Sequence, residues 1–142
     1  MIVPDANLLV YAYDVESPQH PQARDWWESV LSGPEAIGIP YVVLLGFTRI
    51  MTHPRICKVP ITTGQAQRAV NAWLETPVAR PLAPMMSTLK LAFKLLDEAG
   101  RGGNLVTDAF IAAHALESGG TVYSNDRDFR LFPRVRWVNP LA

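Results

Sequence analysis

The sequence predicts an α/β fold, a three-layer α/β/α sandwich with a mainly parallel central sheet of about five short strands. Short strand-like segments alternate with helical patterns along the chain, which is typical of a parallel sheet covered on both faces. The 142 residues are 49% hydrophobic and 18% charged, a balance that is sufficient for one ordinary core. We therefore expect a single domain over residues 1–142.

The first half of the chain predicts two strands and three helices. An apolar opening indicates a strand at residues 2–5, and the apolar positions that follow predict a helix at 7–13. A Ser-Pro-Gln-His-Pro break precedes a second helix at 21–31, and a second strand follows at 36–39. A third helix at 41–52 ends at a His-Pro pair, because the residue before proline avoids helical geometry.

The second half predicts three more helices and three more strands. Thr62 and Gln65 form the pattern of a capping box for a helix that reaches residue 74. The clearest helix covers residues 87–99 and ends at Gly100. Its predicted apolar face consists of Leu89, Ala92, Phe93 and Leu96. The remaining elements are a strand at 78–82, a helix opened by Asp108, and strands at 121–123 and 135–138.

The composition excludes several classes of protein. No apolar run approaches the ~20 residues that a membrane helix needs, and no secretory signal is recognisable, so we expect a cytoplasmic protein. Cys57 is the only cysteine, which excludes an internal disulfide and a thiolate zinc cluster. The net charge is zero, yet residues 127–142 carry four arginines against one aspartate. This cluster could contact phosphates or form a solvated surface.

Three carboxylates carry the strongest functional signal. Asp5 ends the first strand, Asp108 opens a helix, and Asp126 follows the strand at 121–123. The carboxyl ends of parallel strands gather at one edge of a sheet, where ligands usually bind. Converging carboxylates repel one another, so they persist mainly where a divalent cation offsets their charge. The sequence therefore predicts a Mg²⁺ or Mn²⁺ site, and a cation there fits phosphodiester hydrolysis.

Each carboxylate also has a purely structural explanation. Asp5 could cap the following helix, and Asp126 lies in a turn-forming segment. Asp108 would be favoured at a helix N-terminus by roughly 0.3–1 kcal/mol without any ligand. Asn7 could hydrogen-bond the Asp5 side chain or a water on the metal, and Ser124 could orient ligands in the same way.

Four segments resemble, in the right order, the motifs of the PIN-domain family, and within it the VapC toxins of toxin–antitoxin pairs. Residues 4–12 (PDANLLVYA) resemble the family's Asp-x-Asn/Ser start, and residues 44–54 (LLGFTRIMTHP) are similar to its second motif. Residues 103–109 (GNLVTDA) match the third motif, and residues 124–129 (SNDRDF) stand where the family has Thr/Ser-x-Asp-x-x-Phe. The tail at 136–141 (RWVNPL) is also similar.

The resemblance implies a Mg²⁺-dependent endoribonuclease, with Mn²⁺ as a substitute, that cuts structured RNA such as tRNA or rRNA and arrests growth. It also implies a VapB-type antitoxin as partner, a homodimer and a toxin–antitoxin hetero-oligomer. The implied catalytic residues and metal ligands are Asp5, Asp108 and Asp126, with Asp128 as a further ligand. The residues expected to support the site or contact RNA are Asn7, Ser124, Arg49, Asn104 and Arg101.

One position departs from the family pattern, because Gly46 stands where many members carry a glutamate. The site could work with the remaining carboxylates, or glycine-bearing VapC-like proteins could be competent as a group. Alternatively, the glycine could be an inactivating change, natural or introduced. A catalytically weakened protein that binds RNA or antitoxin without cleaving is therefore a competing hypothesis. A phosphotransfer domain is a second one, although it would require a lysine near the carboxylates and the motifs contain none.

Overall fold

The computed structural model describes residues 1–142 and shows the predicted α/β architecture, a five-stranded sheet flanked by helices. The strands are β1 Ile2–Pro4, β2 Ile37–Pro40, β3 Ala79–Leu82, β4 Thr121–Tyr123 and β5 Trp137–Val138. The helices are α1 Ala6–Tyr13, α2 His20–Leu31, α3 Tyr41–Met51, α4 Thr63–Leu74, α5 Met86–Ala99 and α6 Leu105–Ser118, followed by a 3₁₀ helix at Arg127–Leu131. No helix is both long enough and apolar enough to cross a bilayer.

All strand pairs in the sheet are parallel, and their order is β3-β2-β1-β4-β5. The chain moves outward from β1 to β3 on one side and then returns to place β4 on the other side of β1. The order therefore reverses between β1 and β4, and such a switch point opens a crevice at the carboxyl ends of the two strands. Pro4 and Tyr123 are register partners at those ends, so the residues that follow them are brought together.

The core explains why α6 lies close against the sheet. Its buried positions include Ala109, Ala112, Ala113 and Ala115, all without exposed surface. Small side chains allow the helix backbone to approach its neighbours closely, and a helix that is apolar around most of its circumference belongs in an interior. The helix that carries Asp108 is thus firmly positioned by packing.

Three predicted features differ from the structure, the first being the start of α6, which lies at Leu105 and not at Asp108. The last strand is shorter than predicted, because the Val135 amide donates to the Phe132 carbonyl oxygen in a turn and pairing begins only at Trp137. The predicted face of α5 is wrong in part, since Ala92 is buried but Leu89 and Phe93 are 41% and 65% exposed. The face that packs inward carries Thr88, Ala92 and Leu95. Thr88 and Ser87 both donate hydrogen bonds to the Glu117 carboxylate on α6, which turns that face toward α6.

Candidate active site

Asp5 lies at the end of β1, in the crevice between β1 and β4. Its amide donates to the Tyr123 carbonyl oxygen over 2.8 Å, which extends the pairing of the two strands by one residue. One carboxylate oxygen accepts from the Ala6 amide at 2.7 Å and so caps α1, while the other accepts from the Ser124 hydroxyl at 2.6 Å. Only 8% of the residue is exposed. Asp5 is therefore both the cap of α1 and a nearly buried charge at the crevice.

Ser124 joins the polar groups of the site. Its hydroxyl has no exposed surface, donates to Asp5, and accepts from the Asp126 amide at 2.9 Å and from the Asn7 side-chain amide at 3.3 Å. Asn7 was predicted to hydrogen-bond either the Asp5 side chain or a water on the metal; in the structure its side chain donates to Ser124, which in turn donates to Asp5. This arrangement fixes Asp5 in one orientation and ties β4 to the start of α1.

Three other carboxylates converge near Asp5. One oxygen each of Asp108, Asp126 and Asp128 lies within 4.8 Å of the other two. Asp108 projects from the first turn of α6, and Asp126 accepts from the Asp128 amide at 2.9 Å, which caps the 3₁₀ helix. The sequence ranked Asp128 below Asp5 as a ligand, whereas this tight group contains Asp128 and not Asp5.

The electrostatics of the group favour a bound cation. Burial first, and then the charges of the neighbouring aspartates, raise the pKa of the Asp108 carboxyl to about 7. Burial also raises the pKa of Asp5, even though the hydrogen bonds from Ser124 and Ala6 act to lower it. Clustered, partly buried carboxylates of this kind are unfavourable alone, and oxygen donors are the ligands that Mg²⁺ and Mn²⁺ prefer. The donor set fits a divalent cation.

The carboxylates open into a cleft of about 620 Å³. Asp5, Asp108 and Asp126 line one end, and the cleft then runs along α1 past Tyr11 to the loop at residues 14–19 and the loop at 50–58. The volume lies within the usual range of ligand sites, about 300–1,000 Å³. The sequence motifs did not indicate this extension, because its walls come from two loops that meet only in the folded chain.

Three of the expected supporting residues lie outside the cleft. Arg49 is exposed on the last turn of α3 and takes part in none of the three ion pairs. Asn104 precedes α6 without a side-chain capping bond, and Arg101 is exposed in the preceding turn. None of the three lines the cleft, in contrast to Asn7. Their roles toward RNA remain predictions.

Comparison with known proteins agrees with this geometry. The sequence model of the PIN-domain family matches residues 2–135 of the chain. The chain belongs to the PIN-domain family. Within it, the chain is 38% identical to ribonuclease VapC33 of Mycobacterium tuberculosis over 99% of both chains. It is 36% identical to ribonuclease VapC43 of the same species, over 99% of this chain and 96% of the relative. The chain is thus a VapC-type PIN domain.

Solved PIN-domain structures share the fold at low sequence identity. Mycobacterium tuberculosis VapC20, a toxin that cleaves the sarcin–ricin loop, superposes with a TM-score of 0.71 at 19% identity over 96% of this chain and 99% of that chain. VapBC2 of Rickettsia felis, bound to a DNA fragment from its promoter, superposes with a TM-score of 0.69 at 21% identity over 98% of both chains. These likenesses establish the fold.

Gly46 lies on α3 beside the start of α1. A Cβ atom added there would meet only the Ala6 Cβ, at 3.5 Å, which is ordinary van der Waals contact. Ala6 follows Asp5 directly, so a Cβ atom at position 46 would lie beside the start of α1, near the acidic site, without a clash. The glycine therefore removes a carboxylate from the family pattern without being required by packing.

We predict that Gly46→Glu tightens Mg²⁺ binding, because one more carboxylate next to Asp5 raises the negative charge available to a cation. Titration calorimetry measures the affinity. Gly46→Ala is the matched control, since it removes the cost of glycine inside a helix, up to about 1 kcal/mol, and adds no charge. Equal Mg²⁺ affinity for Gly46→Glu and Gly46→Ala would show that the new side chain points away from the site.

Proposed function

We propose that this chain is a divalent-metal-dependent endoribonuclease that hydrolyses phosphodiester bonds in structured cellular RNA and acts as the toxin of a toxin–antitoxin pair. The observation that carries the proposal is the group of three carboxylates, Asp108, Asp126 and Asp128, within 4.8 Å of one another. Asp108 and Asp126 line a large cleft together with Asp5. The VapC relatives are named ribonucleases, and this supports RNA as the substrate. A tRNA or an rRNA loop fits an activity that stops growth in the cytoplasm.

The residues that would hold the cation are Asp108, Asp126 and Asp128, and Asp5, whose charge acts on Asp108, lines the same cleft. When bound, Mg²⁺ or Mn²⁺ supplies Lewis-acid stabilisation of the charge that builds on the phosphate and a nucleophile at neutral pH. Ser124 holds Asp5 in place through a 2.6 Å hydrogen bond, so the buried carboxylate needs no reorientation during the reaction. The cleft provides the surface that positions the strand.

The proposal is tested by incubating total cellular RNA with purified, antitoxin-free protein and Mg²⁺ or Mn²⁺. We expect discrete fragments that disappear with EDTA and with Asp108→Asn. Intact RNA in the presence of folded wild-type protein would contradict the proposal. That result would favour the second candidate, a weakened PIN domain that binds RNA or antitoxin without cleaving, for which Gly46 is the structural basis.

We further propose a VapB-type antitoxin and a second copy of the chain as protein partners. Solved relatives include VapBC complexes of Rickettsia felis and Haemophilus influenzae. An exposed apolar surface lies at α5 and the start of α6, and large exposed apolar surfaces are typical of protein interfaces. This α5 surface consists of Met85, Met86, Leu89, Phe93 and Val106. None of its five residues lines the acidic cleft, so we propose that it forms a homodimer interface that leaves the site open.

We predict that Phe93→Glu separates the homodimer into monomers, because a charge at the centre of the α5 surface cannot be buried without a partner. Size-exclusion chromatography with light scattering measures the mass. Val59→Glu, at an apolar position that is also exposed but lies outside this surface, is the control and should keep the dimer. A monomeric wild type, or a dimeric Phe93→Glu, would contradict the assignment.

A further inference from the structure

The cleft has a second part that the acidic site does not use. Its lining includes apolar residues from two parts of the chain, Val10 and Tyr11 of α1 together with Ile50, Ile56 and Cys57 from the end of α3 and the loop that follows. We name this part, lined by these five residues, the side arm. Ile56 is 53% exposed in a loop and the Tyr11 ring is half-buried, so both offer surface to a ligand. An apolar slot that continues directly from a carboxylate cluster needs an occupant that is flat and apolar on its faces.

An unpaired nucleobase has this shape and chemistry. Sequence-specific RNA recognition targets single-stranded loops, where a base can be turned outward and stacked on an aromatic side chain. Stacking on aromatic side chains strengthens the binding of each base and tolerates all base types. Tyr11 can act as such a platform, and Ile56 adds exposed apolar surface to the lining of the same cleft.

The charges around the side arm indicate where the phosphate lies. Lys58 is the only cationic residue that lines the cleft, and it takes part in none of the ion pairs of the molecule. The far end of the cleft carries Asp14 and Glu16, whose carboxylates repel phosphate. Lys58 is therefore the one residue lining the cleft whose charge attracts a phosphate.

We propose that the side arm binds one unpaired nucleobase next to the scissile phosphate and that Lys58 contacts the phosphate of that nucleotide. This subsite rests on the proposed ribonuclease function and assigns part of its substrate recognition. It places the cleaved bond in a loop or bulge, since a base inside a duplex cannot enter the slot.

The test measures binding, with Ca²⁺ in place of Mg²⁺, of a short fluorescent oligoribonucleotide. One abasic nucleotide is moved through its positions, and fluorescence anisotropy gives the affinity. We expect one position at which the abasic nucleotide weakens binding to wild-type protein about tenfold. Ile56→Ala should weaken binding of the intact strand by a similar factor and remove the effect of the abasic nucleotide. Ile56 is exposed, so this variant should fold.

Lys58→Ala should weaken binding of every strand and lower the salt dependence of binding by about one phosphate contact. Lys94 is an exposed lysine on α5, and the control variant Lys94→Ala should change neither quantity. Absence of a sensitive position, or an unchanged abasic effect in Ile56→Ala, would overturn the subsite. If binding depends on one base but no cleavage occurs in Mg²⁺, the ribonuclease proposal is refuted and the subsite proposal is supported. If RNA is cleaved but no position is sensitive to the abasic nucleotide, the subsite is refuted and the ribonuclease proposal is supported.

Discussion

We expect Asp108→Asn to abolish the proposed RNA cleavage and to make the metal-free protein harder to unfold. The carboxylate is one of three that lie within 4.8 Å, so its loss removes charge from the cation site, and we expect a rate decrease of roughly 10³-fold or more. Burial and neighbouring charges raise the pKa of Asp108 to about 7, so the ionised form destabilises the folded state. After allowance for solvent screening, the gain in stability at pH 8 is about 1 kcal/mol.

A cleavage assay and thermal unfolding in EDTA measure the two effects. Asp97→Asn, an exposed carboxylate on α5, is the matched control and should change neither quantity. Full activity in Asp108→Asn would contradict the metal-site assignment. Asp5→Asn is a less suitable test. The Ser124 hydroxyl already accepts hydrogen bonds from the Asp126 amide and the Asn7 side chain. An Asn side-chain nitrogen facing it would add a third donor that the hydroxyl cannot accept. That variant should lose stability as well as activity.

The metal-free protein loses stability as the pH rises from about 4 to about 7. Between the ordinary pKa of 3.8 and the raised value of about 7, folded Asp108 binds more protons than unfolded Asp108, so the free energy of unfolding falls with pH. Asp5, whose pKa is also raised, acts in the same direction. Because Asp108 is partly exposed, we expect the free energy of unfolding to fall by only about 1–2 kcal/mol between pH 5 and pH 8.

Thermal unfolding at pH 5 and pH 8, with EDTA and with Mg²⁺, measures this dependence. His114 acts in the opposite direction below its ordinary pKa of 6.5, because burial lowers its pKa. The difference between wild type and Asp108→Asn isolates the aspartate. Mg²⁺ should stabilise the wild type at pH 8 far more than at pH 5, since the cation requires ionised ligands. An equal effect of Mg²⁺ at both pH values would contradict this account.

Much of the fold could be predicted because local signals agree with the tertiary structure. The strand at 121–123 was predicted with its observed bounds. Both hydrogen bonds of the capping box at Thr62 and Gln65 are present, and Gly100 ends α5 in the left-handed conformation. Local chemistry alone determines these features, so a single sequence reveals them.

The remaining features depend on contacts between distant segments. The face of α5 has two apolar stripes, and only the hydrogen bonds of Ser87 and Thr88 to Glu117 on another helix decide which one is buried. The grouping of Asp128 with Asp108 and Asp126 depends on how the 3₁₀ helix meets α6. The side arm combines α1 with a loop some forty residues later. No periodicity or motif in the sequence encodes the buried face of α5 or the side arm, whereas the resemblance at residues 124–129 implied Asp128 as a further ligand.

Binding of Mn²⁺ to the isolated protein, followed by electron paramagnetic resonance at neutral pH, tests the central claim most directly. The signal of free Mn²⁺ decreases when the ion is bound, and Mg²⁺ should compete for the same site. We predict saturable binding to wild-type protein and to Asp97→Asn, and a large loss of binding in Asp108→Asn. Absence of binding to the wild type, or equal binding to Asp108→Asn, would show that these carboxylates are not a metal site.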